Sequence, residues 1–128
     1  MKLEMEFHDS IISDVKVLAE LDAIEIRFSH VVIVTTPESS AVPQNSRVSA
    51  TIRITKPKYK RLPKKGLLSD GELYGIPGKP LNGRIPVDFQ CDRECELELS
   101  VESTDYSITG KSFLVVVDLA TLPDELRH

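Results

Sequence analysis

The chain has no tryptophan, only two cysteines and no apolar run long enough for a membrane span. Two cysteines are too few for a disulfide framework, so an apolar core must hold the fold together. The longest apolar stretches, VVIV and FLVVV, fall far short of the about 20 residues that cross a bilayer. The N-terminal MKLEMEFHDS has acids where a secretory signal has an apolar segment. These absences predict one soluble, cytoplasmic domain over residues 1–128 with no membrane partner.

Positive charge is concentrated in one segment of an otherwise acidic chain. The formal net charge is -4, from 16 basic and 20 acidic residues. Six of the bases lie in KPKYKRLPKK, residues 56–65, which contains no acid. Without those six, 10 bases remain against 20 acids, a balance of -10. The electrostatic field of this negative charge repels polyanions, so we do not expect nucleic acid as a partner.

The basic segment 56–65 has three competing interpretations. Lysines and prolines protect an exposed strand edge from pairing with another sheet, which suits a segment bracketed by Pro57 and Pro63. The bases can instead pair with acidic loops of this chain or of a partner. Phosphate contact, with Tyr59 stacking on a base, conflicts with the acidic remainder. We favour edge protection, and the interaction candidates in the segment are Lys58, Lys60 and Arg61.

Alternation of apolar and polar residues is the main structural signal, and it is typical of strands with one buried face. In CELELSV the apolar face begins at Cys95, and the opposite face carries Glu96, Glu98 and Glu102. VSATIRITK alternates in the same way from Val48 onward. The β-branched residues of SFLVVVDL also favour a strand.

Two further segments predict the placement of particular side chains. In IEIRFSHVVIV, a period of two puts His30 on one apolar face with Ile24, Ile26, Phe28, Val32 and Val34. A histidine there is a hydrogen-bonded core residue, or it lines a pocket and titrates near neutral pH. In DVKVLAEL the same period predicts a shared core face for Val15, Val17, Ala19 and Leu21.

Turn-forming residues separate the predicted strands. Asp22 suits a tight hairpin, and the pairs Asp70–Gly71 and Asn82–Gly83 are strong turn signals. After VSATIRITK, as far as residue 84, we expect irregular chain with short edge strands. A helical turn is predicted only in the C-terminal TLPDELRH. Strands about 10 residues apart predict an all-β fold, an antiparallel sandwich or small barrel of roughly seven to nine strands.

Five short segments occur in order along most of the chain: FHDSIISDVKV, IEIRFSHVVIV, LLSDGEL, PLNGRIPVDF and CELELSVES. With its Phe-His-Asp-Ser opening, its Ser-Asp-Gly-x-Leu turn and its later Ile-Pro, the chain resembles a family of small uncharacterised bacterial all-β proteins. The resemblance implies a compact β domain of unassigned activity. In that family a His-Arg-Ser segment and a Gly-rich loop with Asp and Trp follow the second strand pair. Here VVIVTTPESSAVPQNS stands in that place.

The segment HDS, residues 8–10, has the residue types of a nucleophilic triad. On an extended chain His8 and Ser10 point to one side and Asp9 points to the other. Three consecutive residues therefore cannot form the hydrogen-bonded relay of a triad, which depends on how the three side chains face one another. We favour a strand end that enters a turn, where Asp9 or Ser10 accepts hydrogen bonds from nearby backbone N–H groups and His8 packs under the next strand. A ligand contact is the alternative, so the candidate ligand-binding residues are His8, Asp9 and His30.

Cys91 and Cys95 are separated by DRE. On a straight strand they would lie about 13 Å apart, whereas a three-residue hairpin loop would bring the thiols face to face. That arrangement allows a cross-strand disulfide or two ligands of a metal. Zinc takes about four ligands, and the three histidines show no ligand spacing. Two reduced thiols are the favoured state, and we expect no metal and no cofactor.

Motifs of catalysis are missing from the sequence, which has no phosphate-cradling loop, nucleophile elbow or zinc-helix motif. This disfavours an enzyme without excluding one. We favour a non-catalytic protein-interaction module, an acidic inhibitor or immunity-like protein, in which Glu96, Glu98 and Glu102 cover a basic partner. The alternative is a small-ligand-binding β-barrel with an apolar interior near His30. The sequence is also compatible with a homo-oligomer formed through an edge strand.

Overall fold

The computed structural model describes residues 2–36, 44–75, 83–86 and 89–118. In them the regular structure is β, apart from one 3-10 turn at Ala19–Leu21. The ten strands of the described residues are β1 Lys2–Leu18, β2 Ala23–Thr36, β3 Gln44–Thr55, β4 Lys58–Tyr59, β5 Gly66–Tyr74, β6 Arg84–Pro86, β7 Gln90–Cys91, β8 Cys95–Val101, β9 Thr104–Gly110 and β10 Ser112–Val117. The all-β prediction is confirmed, and three very short strands raise the number above nine. The predicted turn in TLPDELRH lies outside the described residues.

The strands form one antiparallel sheet in the order β4-β9-β8-β5-β1-β2-β3-β10-β7. β2 borders β1 along its length, while β6 and β5 share the other edge of β1, β6 at Glu4–Glu6 and β5 at Ile11–Ile12. Within the described part of the chain, β4 and β7 end this order, so the sheet is open. Its two halves meet across one core, since Phe7 of β1 lies over Gly71 of β5 and Ile54 of β3 lies against Gly110 of β9.

The core is aliphatic with three phenylalanines, Phe7, Phe28 and Phe113, each of them almost fully buried. The predicted faces of β3 and β8 are confirmed. Their buried residues are Val48, Ala50, Ile52 and Ile54 in β3 and Cys95, Leu97, Leu99 and Val101 in β8. Regular alternation along these strands therefore identifies much of the core.

Two opposed bulges change the phase of β1 and β2. In β1, residues 7–10 oppose a single residue of β2, Val31. The register of β2 against β3 also shifts between Phe28 and Val31. Both of these residues point into the core, and His30 between them is exposed. The prediction of His30 on the apolar face is therefore wrong, because a bulge adds a residue to the period-two pattern.

The prediction for DVKVLAEL is also wrong. Val17 is 56% exposed and Leu21 is 57% exposed, so they do not share a core face. The last fully buried residue of β1 is Ile12, and beyond it Ala19 and Leu21 belong to the 3-10 turn. The predicted hairpin itself is confirmed, with Asp22 in the left-handed region at φ 46° just before β2.

The Asp70–Gly71 pair is not a turn. Both residues lie inside β5, where the register against β8 shifts between Leu68 and Asp70. A Cβ at Gly71 would lie 2.7 Å from Cγ of Phe7, so glycine leaves room for the ring. The segment that was predicted to be irregular thus contains a nine-residue strand between β8 and β1. The expectation of a short edge strand is met by β4.

Candidate interaction surface

Antiparallel pairing brings five carboxylates together on the outer face of β5, β8 and β9. One cross-strand row contains Asp70, Ser100 and Asp105. The next row contains Glu72, Glu98 and Ser107, and the third contains Tyr74, Glu96 and Thr109. We call the carboxylate set the acidic face: it consists of Asp70, Glu72, Glu96, Glu98 and Asp105.

An open cleft of about 360 Å³ lies along the acidic face. Leu99 and Tyr106 contribute to its lining, and both side chains are largely buried. Tyr74 lines it as well and is 49% exposed, one of the large apolar side chains that reach solvent. The cleft therefore combines an aromatic side chain with negative charge.

Like charges meet directly in the acidic face. Glu72 is the cross-strand partner of Glu98, a pairing that destabilises a sheet. None of the five carboxylates forms an ion pair with any residue in the described part of the chain. Desolvation by neighbouring groups, a hydrogen bond shared with Glu96 and the charges of Glu96 and Asp105 raise the pKa of Glu98, although its side chain is exposed. The negative charge of the face is therefore concentrated and poorly compensated.

Hydrogen bonds hold three of the carboxylates in place. The backbone N–H of Gly71 donates to Oδ1 of Asp70 at 2.8 Å, and that of Gly83 donates to Oε2 of Glu72 at 2.7 Å. The hydroxyl of Ser100 donates to the Asp105 carboxylate. These neutral donors orient the acids without cancelling their charge. The acidic face is therefore partly ordered before any partner arrives.

The basic segment 56–65 borders the acidic face. Lys58 of β4 pairs with Thr109, which extends the row of Glu96 to a lysine. The Arg61 guanidinium donates to the Asp105 carbonyl at 3.5 Å and lies 5.1 Å from the centre of the Tyr106 ring. Arg61 thus covers part of the edge of β9 beyond β4, as the edge-protection interpretation requires.

Ion pairing within the chain, the second interpretation of the basic segment, also occurs. Nζ of Lys64 lies 3.3 Å from Oε2 of Glu102. Glu102 is not on the strand face with Glu96 and Glu98, because it lies in the β8–β9 turn at φ 47°. Its predicted place in the glutamate stripe is therefore wrong.

The segment His8–Asp9–Ser10 forms part of the β1 bulge, with Asp9 at φ 67°. Ser10 is fully buried, and its hydroxyl donates to the Glu6 carbonyl at 2.9 Å, so its local backbone bond is to a carbonyl and not to the predicted N–H group. His8 is exposed, so the prediction that it packs under the next strand is wrong. Its Nδ1 lies 2.7 Å from the Ser69 carbonyl oxygen, and its Nε2 lies 3.5 Å from Oδ2 of Asp9. The Ser10 hydroxyl faces backbone and does not join His8 in a triad.

Titration of His8 tests this geometry. The hydrogen bond to the Ser69 carbonyl and then the Asp9 charge raise the pKa of His8 above 6.5. Any stabilisation from the charged ring is complete below pH 6.5 and is lost as the pH rises through the raised pKa. We expect Asp9→Asn to lower the pKa of His8, measured by NMR titration of the ring protons. Asn suits positive φ, so the bulge should persist. Asp14→Asn is the control, and an equal effect of both variants would contradict the contact.

His30 is exposed at the β2 bulge, with its Nδ1 3.0 Å from the Ser29 hydroxyl oxygen. It therefore lines no part of the apolar core cluster. The described residues contain no group of three or more His, Cys, Asp or Glu side chains that could hold a metal ion. Nor does any helix within them have the length and apolarity needed to cross a membrane.

Three carboxylates of the acidic face were missed from the sequence: Asp70, Glu72 and Asp105. Asp70, Glu72 and Tyr74 do alternate within SDGELY, a signal that the turn interpretation of Asp70–Gly71 concealed. Comparisons of the chain with protein-family models, with curated proteins and with solved structures returned no match. The function must therefore be argued from the side chains themselves.

Proposed function

We propose that the chain is a non-catalytic protein-interaction module, of the acidic inhibitor or immunity-like type, whose acidic face covers a basic surface of a partner protein. The observation that carries the proposal is the direct pairing of Glu72 with Glu98, flanked by three more carboxylates. A sheet gains stability when such a pair is replaced or neutralised. Lysines or arginines of a partner would relieve this repulsion upon binding.

The shape of the cleft supports a protein partner. It is open, and it offers Tyr74 as an exposed aromatic ring at the edge of the charged residues. Tyrosine is enriched among the residues that contribute most to protein interfaces. An aromatic ring beside carboxylates suits the side chain of lysine or arginine, which has an apolar stem and a charged head.

The alternative, a small-ligand site in an apolar interior near His30, has weaker support. His30 is exposed, and its neighbours Phe28 and Val31 belong to a packed core.

The proposal also places the module in the cytoplasm. Two buried free cysteines suit a reducing compartment.

A charge-neutralising double variant, Glu72→Gln with Glu98→Gln, tests the proposal. The probe is a synthetic peptide of alternating lysine and serine, titrated against the full chain by calorimetry at several salt concentrations. We expect the double variant to bind about fivefold more weakly, since two exposed ion pairs contribute roughly 1 kcal/mol together. We also expect a flatter salt dependence. The free energy of unfolding should rise, because the repulsion between the two glutamates is removed.

The matched control is Glu20→Gln with Asp22→Asn, which changes the net charge by the same amount at exposed positions of the β1–β2 turn, outside the acidic face. This control should bind the peptide nearly as well as the unmodified chain. Equal weakening by both double variants would show that only the net charge matters, and the acidic face would then not be a site.

A further inference from the structure

The two cysteines form a close pair in the core. Cys91 ends β7 and Cys95 begins β8, and the Sγ atoms lie 3.3 Å apart. Both thiols are free, with Cys91 8% exposed and Cys95 2% exposed. β7 pairs with β10, whereas β8 pairs with β9, so the loop between the cysteines joins strands with different neighbours. A bond between the sulfurs would tie the edge strand β7 directly to β8.

We propose that Cys91 and Cys95 are an oxidation-sensitive dithiol, a modification site at which a peroxide converts the pair into an intramolecular disulfide. A disulfide requires the sulfurs to be about 2.05 Å apart, so they need to approach by little more than 1 Å. The loop residues between them, 92–94, are all exposed and can adjust. Only a small local movement therefore separates the reduced from the oxidised pair.

The reaction balances with hydrogen peroxide as the oxidant. The Cys91 sulfur attacks one peroxide oxygen, the O–O bond breaks, and a sulfenic acid and water are formed. The Cys95 sulfur then displaces the sulfenic oxygen, which leaves as a second water with the remaining thiol proton. Overall, two S–H bonds and one O–O bond are broken, and one S–S bond and two O–H bonds are formed. The two sulfurs are oxidised, and the peroxide is reduced to two waters.

The surroundings of the two cysteines determine which of them reacts first with the peroxide. Burial, followed by the hydrogen bond to Cys91, raises the pKa of Cys95 to about 12. Because the thiolate is the reactive form, Cys95 is a poor first nucleophile at neutral pH. Cys91 is also the more exposed of the two. Cys91 is therefore the thiol that meets the peroxide, and Cys95 is the one that resolves the sulfenic acid.

The short loop distinguishes a reversible modification from a structural crosslink. A disulfide that closes only three intervening residues removes little freedom from the unfolded chain and adds little stability. Small strained rings are also reduced more readily than long-range structural disulfides. Both features suit a bond that forms under oxidative conditions and is reduced again by cellular thiols.

Mild oxidation of the reduced full chain tests the proposal. After a low excess of hydrogen peroxide under native conditions, we expect the intact mass to fall by two hydrogen atoms. Titration in denaturant should then find no free thiol, and dithiothreitol should restore both. Cys95→Ser should accumulate a sulfenic acid at Cys91 that dimedone traps. Cys91→Ser should react much more slowly.

Three results would overturn the proposal. In the first, both thiols stay free until the chain is unfolded, as two inert core residues would. In the second, peroxide adds oxygen atoms without forming a disulfide. In the third, the disulfide joins two chains rather than the two cysteines of one chain. The decisive measurements use the unmodified protein, so they do not depend on whether either variant folds.

Discussion

Replacing Phe7 with alanine is expected to lower the free energy of unfolding by about 3–5 kcal/mol. Phe7 is fully buried on β1, in the middle of the strand order, and a Cβ on Gly71 of β5 would meet both Phe7 and Leu99 of β8. Its ring lies over Gly71, so the backbone of β5 forms one wall of the space that the ring fills. Strand backbone cannot collapse into that space, and the cavity therefore remains. Equilibrium denaturation with guanidinium would measure the loss.

Val17→Ala is the matched control for Phe7→Ala, because Val17 lies on the same strand with its side chain 56% exposed. Its free energy of unfolding should stay within about 0.5 kcal/mol of the unmodified chain. If Phe7→Ala costs no more than Val17→Ala, Phe7 does not lie in a closed core and the described contact with Gly71 is wrong.

Arg53→Met is expected to cost about 1.5–3 kcal/mol, the range for a hydrogen bond to a charged group. Nη2 of Arg53 donates to Oε2 of Glu25 at 2.6 Å, and Nε donates to the same oxygen at 3.2 Å. The Glu25 side chain is only 11% exposed, so it depends on these donors. Arg27, at 3.5 Å from Oε1, is a weaker partner, and Arg27→Met should cost less than about 1 kcal/mol.

The cost of Arg53→Met should depend on pH. The hydrogen bond from Arg53, with the charges of Arg53 and Arg27, holds the pKa of Glu25 below its usual 4.5. A lowered pKa contributes stability above pH 4.5 that is lost as the pH falls through the folded value. Thermal unfolding at pH 7 and at a pH well below 4.5 should show the stability of Arg53→Met approaching that of the unmodified chain only in the acid. A difference that is constant with pH would mean that Met merely packs less well.

The sequence predicted the core wherever a strand keeps one register. β3 and β8 alternate without interruption, and their buried residues are those that a period of two selects. β1 and β2 defeat the same reasoning, because each contains a bulge that shifts the inward face by a residue. No residue type marks that shift: His30 fits an apolar stripe in the sequence, although its side chain is exposed.

The acidic face shows a second limit of sequence reasoning. Glu96 and Glu98 are close in the chain and share a face by alternation alone. Glu72 joins them only because β5 pairs with β8, and Asp105 only because β9 pairs on the other side. The register between distant strands follows from the packing of the whole sheet, so single segments do not contain it.

The long first strand has a consequence for how the molecule is made. β2 can pair with β1 as soon as residue 36 has left the ribosome. The opposite edge of β1 pairs with residues made much later: Leu67, which pairs with Ile11, follows it by 56 positions, and Pro86, which pairs with Glu4, follows it by 82. Pairings between such distant positions form slowly. During synthesis the nascent hairpin therefore has an unpaired edge with which other chains can pair until residues 66–86 are made.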